Sequence, residues 1–264
     1  MKPARATFLG MVVRVEDTGG LGPVEVEIAA GGGPVTPASR VMVRAVGRCR
    51  GLLSGVGIDW GTGTGLLSIA AARIPAVTSI VAIERDPEAV ANARRNVDRN
   101  GVANRVVVVQ ADLFTAYDPD DRDLLERLIG RVDFLIANPP ASDDGDGLEW
   151  RRRVLDGARP LLEPGAVILL QVSSHYGDER IRGLADAGGY RFVETVERSP
   201  RTPFDLSRDD LRRALDVYVA EERRGGRPYR FYLADGSVVD ARQVAAGAGP
   251  PLTSWQAHRF ERTD

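Results

Sequence analysis

Apolar residues along this chain follow two periods that alternate. Continuous apolar runs at 56–60, 80–84, 106–110, 132–137 and 167–171 suit strands buried on both faces. Between them the period lengthens to three and four residues, as on the inward face of a helix. The clearest helix opens at Asp86-Pro87, a cap followed by a first-turn proline. It carries Val90, Ala93 and Val97 inward and stops at Gly101. Further helices are predicted at about 124–129, 148–161 and 178–187, and a strand at 191–197. Strand–helix alternation of this kind predicts a doubly wound α/β sheet.

Both ends of the chain depart from that alternation. Residues 7–28 read as a β-hairpin, with Val24, Val26 and Ile28 alternating after a Gly-rich turn at 19–22. AGGGP at 30–34 reads as a loop. A helix then runs from Pro37, capped by Thr36, through a stripe that ends at Leu52 and Leu53. After the proline-marked SPRTPFDLS, Ser207 reads as the cap of a helix to about 224, with Leu211, Ala214, Leu215 and Tyr218 on its apolar face. Residues 229–233 read as a strand, and the tail with AAGAGPP at 245–251 as a loop wrapping the domain. The division expected is 1–35 as a hairpin and cap, 36–198 as the core, and 199–264 as cap helix, last sheet strand and tail.

Composition narrows the class without naming a chemistry. The 264 residues are 43% hydrophobic and 27% charged, as in an ordinary globular protein. The formal charge of −2 argues against a nucleic-acid partner, and no apolar run reaches the roughly 20 residues that cross a bilayer. The N-terminus has no convincing secretory cleavage site, and one cysteine fits a reducing, cytoplasmic compartment. One Cys and two His leave no N/S metal cluster, so no metal is expected. Lys2 is the only lysine, a bias that reads as a GC-rich genome.

Two strand ends carry the candidate chemistry. At Asp59-Trp60-Gly61-Thr62-Gly63-Thr64-Gly65 a strand enters a glycine turn and then a helix, where backbone can approach a nucleotide-like ligand. The spacing is GxGxG, with Leu66 where a dinucleotide fingerprint has its third glycine, and no P-loop lysine follows. Glu84 ends the next strand, placed to accept ribose hydroxyls. At Asn138-Pro139-Pro140 another strand ends in a turn that removes two N–H donors and turns carbonyls outward.

On these residues the chain resembles the class I S-adenosylmethionine-dependent methyltransferases, whose fold is a Rossmann-like doubly wound seven-stranded sheet. The resemblance implies S-adenosyl-L-methionine as cofactor and a bacterial, cytoplasmic transferase. Asp59 would hold the cofactor's amino group, directly or through water, and Gly61, Thr62 and Gly63 would line its amino-acid end. Glu84 would take the ribose, and Asp112 and Leu113 the adenine. Gly65, Arg85 and Asn138 complete the implied cofactor set. Asn138-Pro139-Pro140 resembles the NPPY/F turn of the amino methyltransferases. There the Asn138 side-chain oxygen and the Pro139 carbonyl would accept two N–H bonds from a planar nitrogen and aim it at the methyl carbon. The stretch 145–196 resembles the release-factor glutamine methyltransferases, but their N-terminal helical bundle is replaced by the hairpin.

The fourth turn residue is Ala141, where that branch has an aromatic. Either another aromatic stacks on the acceptor, from Trp150, Tyr176 or Phe114, or the acceptor is bulkier. With His175 and Tyr176 after the fifth strand, the substrate set expected is Ala141, Trp150, His175 and Tyr176. Trp60 reads as packing, the arginines at 151–153 as a solvated helix face and His258 as exposed. The hairpin and the helix at 207–224 would cap the pocket. The function expected is methyl transfer to nitrogen of a small-molecule or peptide-like acceptor. Protein or ribosome methylation and a non-catalytic cofactor-binding scaffold are the alternatives.

Overall fold

The computed structural model describes residues 10–28, 34–186 and 188–264. Two strands, β1 (Met11–Val15) and β2 (Val24–Ile28), form an antiparallel hairpin. Then follow α1 (Pro37–Arg48), β3 (Gly55–Trp60), α2 (Leu66–Ala72), β4 (Val77–Glu84), α3 (Pro87–Arg99), β5 (Val106–Asp112) and the short β6 (Thr115–Ala116). The chain continues through α4 (Pro119–Arg127), β7 (Val132–Ala137), α5 (Glu149–Ala158), β8 (Leu162–Gln171), a 3-10 turn at Ser174–Tyr176, α6 (Asp178–Asp186) and β9 (Tyr190–Arg198). The C-terminal segment adds β10 (Thr202–Pro203), α7 (Asp209–Arg223), β11 (Phe231–Tyr232), β12 (Val238–Val239), α8 (Ala241–Ala245), β13 (Leu252–Thr253) and β14 (Gln256–Arg262). Among the described residues no helix is long and apolar enough to cross a membrane.

Eight strands form the central sheet in the order β6-β5-β4-β3-β7-β8-β14-β9: the seven expected in number plus the two-residue β6 at the edge, with β14 in place of the strand expected at 229–233. β5, β4, β3, β7 and β8 are mutually parallel, and β14 runs antiparallel between β8 and β9. The order reverses direction at β3 and β7, whose C-terminal ends therefore flank the crevice where doubly wound folds take ligands. Two buried cores cover the faces of the sheet, one under α5 and the C-terminal segment, the other under α1, α2 and α3.

Local chemistry explains most boundaries. Asp86 and Asp118 cap α3 and α4, each before a proline at the first helical position. That second cap starts α4 at Pro119, earlier than the helix expected at 124–129. Helix α1, capped by Thr36, stops at Arg48 instead of running to Leu53. Its end holds Gly47, a poor helix former, whose close packing leaves a side chain there only 2.1 Å from the Thr18 carbonyl. Leu53 still reaches the core from the following turn. Ser207 does not cap α7: its amide and hydroxyl both donate to Asp205, and Arg208 occupies the cap position without a side-chain bond.

Three larger expectations are corrected. The tail is not a loop but supplies β14, well inside the central sheet. Its alternation is masked by register shifts between Ala257 and His258 and between Arg259 and Phe260. The strand expected at 229–233 shrinks to Phe231–Tyr232 and belongs to a separate four-stranded sheet, β10-β13-β11-β12. The described part of the hairpin, residues 10–28, does not line the pocket; it packs on α3, where Asn92 and Asn96 donate to the Glu27 carbonyl and Arg99 pairs with Glu27. The loop expected at 30–34 lies, apart from Pro34, outside the described residues, as do residues 7–9 of the hairpin.

Phe260 anchors β14: it is fully buried, with its ring edge-on to Phe192 at 5.5 Å. Phe260→Ala is expected to cost about 3–5 kcal/mol, read as a lowered midpoint in chemical denaturation. A change below about 1 kcal/mol would show that β14 is dispensable to the sheet.

Candidate active site

Backbone and carboxylates at the end of β3 build the glycine turn. Gly61, Gly63 and Gly65 all sit in the left-handed region, at φ 68°, 56° and 81°. Asp59 is fully buried behind the turn. Its Oδ2 accepts from Thr62 Oγ1 (2.6 Å), Ser68 N (3.0 Å) and Ser68 Oγ (2.6 Å), while Oδ1 has no partner. Burial pushes its pKa up, against the hydrogen bonds from Ser68 and Thr62. The amides of Gly61 and Thr62 both donate to the Ile83 carbonyl at 2.9 Å, and Gly63 N donates to Glu84 Oε2 at 3.0 Å. Three turn amides are thus spent within the fold, and Glu84 ties the end of β4 to the turn.

In front of the turn lies a cleft of about 220 Å³, lined by Gly61, Glu84, Arg85, Asp112, Leu113 and Asn138 among others. Six of the residues expected to bind cofactor thus meet in one space, while Asp59 lies behind it, and Thr62 is buried. Leu113 has φ 53°, alone among the described non-glycine residues in being left-handed. Such a backbone costs about 1–3 kcal/mol, and strain of this kind gathers at functional sites.

A second cavity of about 520 Å³ shares Arg85, Asn138, Pro140 and Trp150 with the first. Pro139, Ala141, His175 and Tyr176 line it, together with Phe204, Trp255 and α7 residues such as Leu211 and Tyr218. The cap expected from the helix at 207–224 is therefore present as a wall. The N-terminal end of α1, Thr36 to Ala38, contributes a wall that the sequence had not suggested. Beside it, Asn138 Nδ2 donates to Ser39 Oγ at 3.4 Å, which leaves Asn138 Oδ1 for an incoming donor.

Arg151 corrects the reading of 151–153 as a solvated face. It is 3% exposed. Its Nη1 donates to the Pro140 carbonyl (2.8 Å), Nη2 to the Pro139 carbonyl (3.1 Å) and Gln171 Oε1 (2.9 Å), and Nε to the Gln171 carbonyl (2.9 Å). The signal was in the sequence: 151, 154, 155 and 158 form one helical stripe, and all four are buried. The Pro139 carbonyl, expected to serve the acceptor, is thus already shared with a guanidinium.

The aromatic candidates separate. Phe114 packs against Gly157 of α5, where a Cβ would lie 2.5 Å from its ring. Tyr176 is buried, with its hydroxyl bonded to the Gly147 carbonyl and to Tyr218. Trp150 alone of the three lines both cavities. Its amide is fixed by Ser142 Oγ at 2.8 Å, and its ring lies 6.3 Å from Trp60. Trp60 itself lines the cleft, beyond the packing role expected of it.

His175 is enclosed, Nδ1 at 2.9 Å from Thr253 Oγ1, Nε2 at 3.2 Å from the Tyr218 hydroxyl, and the ring stacked on Phe231 at 5.0 Å. Burial first, then the positive charges of Arg151 and Arg180, lowers its pKa to about 3. His258 is buried rather than exposed, bonded to Thr195 and the Val172 carbonyl, with its pKa lowered by burial to about 4.

With this geometry in view, similarity to known proteins is informative. Residues 54–138 match the family described as ribosomal protein L11 methyltransferase (PrmA). The release factor glutamine methyltransferase of Salmonella typhimurium is 29% identical over 152 residues, 52% of this chain and 53% of that protein. The ribosomal protein L11 methyltransferase of Pelotomaculum thermopropionicum is 44% identical over 80 residues, 30% of this chain and 22% of that protein. The chain thus spans about half the length, or less, of these relatives. Trm5 of Methanocaldococcus jannaschii, solved with adenosine, has 16% identity and a TM-score of 0.51, covering 92% of this chain and 54% of its own. That likeness shows a shared fold.

The two histidines give a pH dependence. Both are held neutral when folded but gain a proton near pH 6.5 when unfolded. Their contribution is therefore complete above pH 6.5 and is lost as pH falls toward 4 and 3. At pH 5 each is expected to remove about 2 kcal/mol relative to pH 7. Denaturation at the two pH values checks this, and a His258→Gln variant should show the smaller loss. Equal loss in the variant would remove His258 from the explanation.

Proposed function

We propose that this class I S-adenosylmethionine-dependent methyltransferase transfers its methyl group to a nitrogen of a small-molecule or peptide-like acceptor seated in the second cavity. The observation that carries this reading is the sharing of Asn138, Pro140 and Trp150 between the two spaces. A donor in the cleft and an acceptor in the cavity would meet there.

The residues of the cleft fit the cofactor. Glu84 stands at the strand end with its carboxylate beside the glycine turn, suited to ribose hydroxyls. Behind the turn and outside the cleft lining, Asp59 Oδ1 is a buried acceptor lacking a donor, which would suit an amino group reaching past the turn. When bound, the cofactor supplies an electrophilic methyl group. Asn138 then does the orienting: Oδ1 accepts an N–H from the acceptor and fixes the direction of the nitrogen lone pair. Arg151 holds the turn rigid, so positioning costs little at the moment of reaction. Trp150 offers the aromatic surface absent at Ala141. His175 takes no proton at neutral pH, because both ring nitrogens are engaged and its pKa is low.

The names of the relatives favour a second reading, an acceptor that is a side chain of a protein. Label from methyl-tritiated S-adenosylmethionine, counted in the small-molecule and macromolecular fractions of a cell extract, separates the two. Label in macromolecules alone would decide for the protein.

Calorimetry tests the residue roles. S-adenosylmethionine and S-adenosylhomocysteine should bind the wild type in the micromolar range, and Glu84→Ala should abolish both signals. Asn138→Ala should leave affinity near normal and lower turnover about a hundredfold or more. Unchanged turnover would remove Asn138 from the mechanism, and retained binding in Glu84→Ala would remove Glu84 from the cofactor site.

A further inference from the structure

The second cavity has a charge that the whole chain does not share. The chain carries a formal −2. The cavity wall carries four arginines, 85, 151, 208 and 213, against two aspartates, 143 and 210. Arg208 is already paired with Asp210, Nη2 to Oδ2 at 2.6 Å. The other three guanidinium groups have no ion-pair partner among the described residues, and a single carboxylate, Asp143, stands against them. Arg151 is the decisive one. A guanidinium 3% exposed is almost always matched by a carboxylate or anion, because an unpaired buried charge is costly. Here four N–H groups of Arg151 go to uncharged oxygens, and one hydrogen on Nη1 is unspent. The positive charge is felt nearby, since Arg151 is one of the causes holding His175 neutral. Much of the rest of the wall is aromatic or apolar, with Trp150, Phe204, Leu211, Tyr218 and Trp255, beside the uncharged polar Thr36, Asn138, Gln171 and Ser173.

We infer that the second cavity is an anion-recognising site, and that its ligand is an apolar or aromatic body bearing a carboxylate. This deepens the proposed function by naming the acceptor class: a nitrogen compound whose carboxylate balances the arginine excess. The aromatic walls bury the body of the ligand, as in most small-molecule sites. Arginine supplies the charge-assisted bonds that recognise a carboxylate. Arg208, Leu211, Arg213 and Tyr218 belong to or adjoin α7, so the C-terminal segment sets this specificity.

The test needs no knowledge of the natural acceptor. Three probes of similar body are titrated by calorimetry into protein saturated with S-adenosylhomocysteine: 3-phenylpropionate, 3-phenylpropionamide and phenyl phosphate. Expected is binding of the carboxylate at least about tenfold tighter than the amide, weakened by raising salt from about 0.05 to about 0.5 M. Arg213→Ala and Arg85→Ala, both exposed positions, should each weaken it about fivefold or more. Arg151→Lys probes the buried group, with thermal melting to confirm folding. Amide binding as tight as that of the acid, absence of acid binding, or indifference to both exposed variants would overturn the inference. Phenyl phosphate binding tenfold tighter than the acid would also overturn the carboxylate and assign a phosphate. Saturation with S-adenosylhomocysteine is verified beforehand, so failure of the cofactor reading is seen separately from failure of the anion site.

Discussion

One buried guanidinium holds the candidate site together. Arg151 reaches from the first turn of α5 to the carbonyls of Pro139 and Pro140 and to both the backbone and side chain of Gln171 at the end of β8. Three elements are thereby fixed to one planar group. Prolines cannot be held through their own N–H, so the turn after β7 depends on bonds to its carbonyls. With those carbonyls occupied, Asn138 and Arg85 are left as the polar side chains at the junction of the two cavities. The geometry of the turn thus rests on a charged side chain that touches it from behind.

The opposite wall is built by a different economy of polar groups. Glu84 takes the Gly63 amide, Asp59 takes the Thr62 hydroxyl and Ser68, and backbone carbonyls of Ile83 and Thr62 take the turn amides of Gly61, Thr62 and Gly65, so the loop is held by a shared set of carboxylates and carbonyls. This explains how a turn with three left-handed glycines keeps one shape. It also explains why only one atom of Asp59 is left without a donor. The C-terminal segment closes the other side. Its strand β14 is set within the sheet and its helix α7 forms a cavity wall, so the same stretch of chain stabilises the fold and shapes the second cavity.

Much of this was legible in the sequence because it is local. Apolar runs, Asp-Pro caps and glycine stops carry the strand and helix alternation, and strand-end motifs pointed to Glu84, Asp112 and Asn138, which the fold brings to one cleft. What escaped was non-local or locally disguised. The alternation of β14 is broken by two register shifts and interrupted by His258, Arg259 and Glu261, so it resembled a polar tail. Arg151 lay on the buried stripe of α5, but charge outweighed position in reading it. The partners of His175 and His258 lie far away in sequence, at Thr253, Tyr218, Thr195 and Val172, and no spacing rule announces them. Ser39 meets Asn138 only because α1 packs across the sheet end.

The central claim is that one cleft, bounded by Glu84, Asp112 and Asn138, takes the methyl donor with its reactive end toward the second cavity. A crystal structure with S-adenosylhomocysteine bound is the most direct measurement. Expected are ribose hydroxyls within hydrogen-bond distance of Glu84, the adenine beside Asp112 and Leu113, and the sulfur on the Asn138 side of the cleft. A nucleoside seated elsewhere, or a sulfur facing away from Asn138, would contradict it.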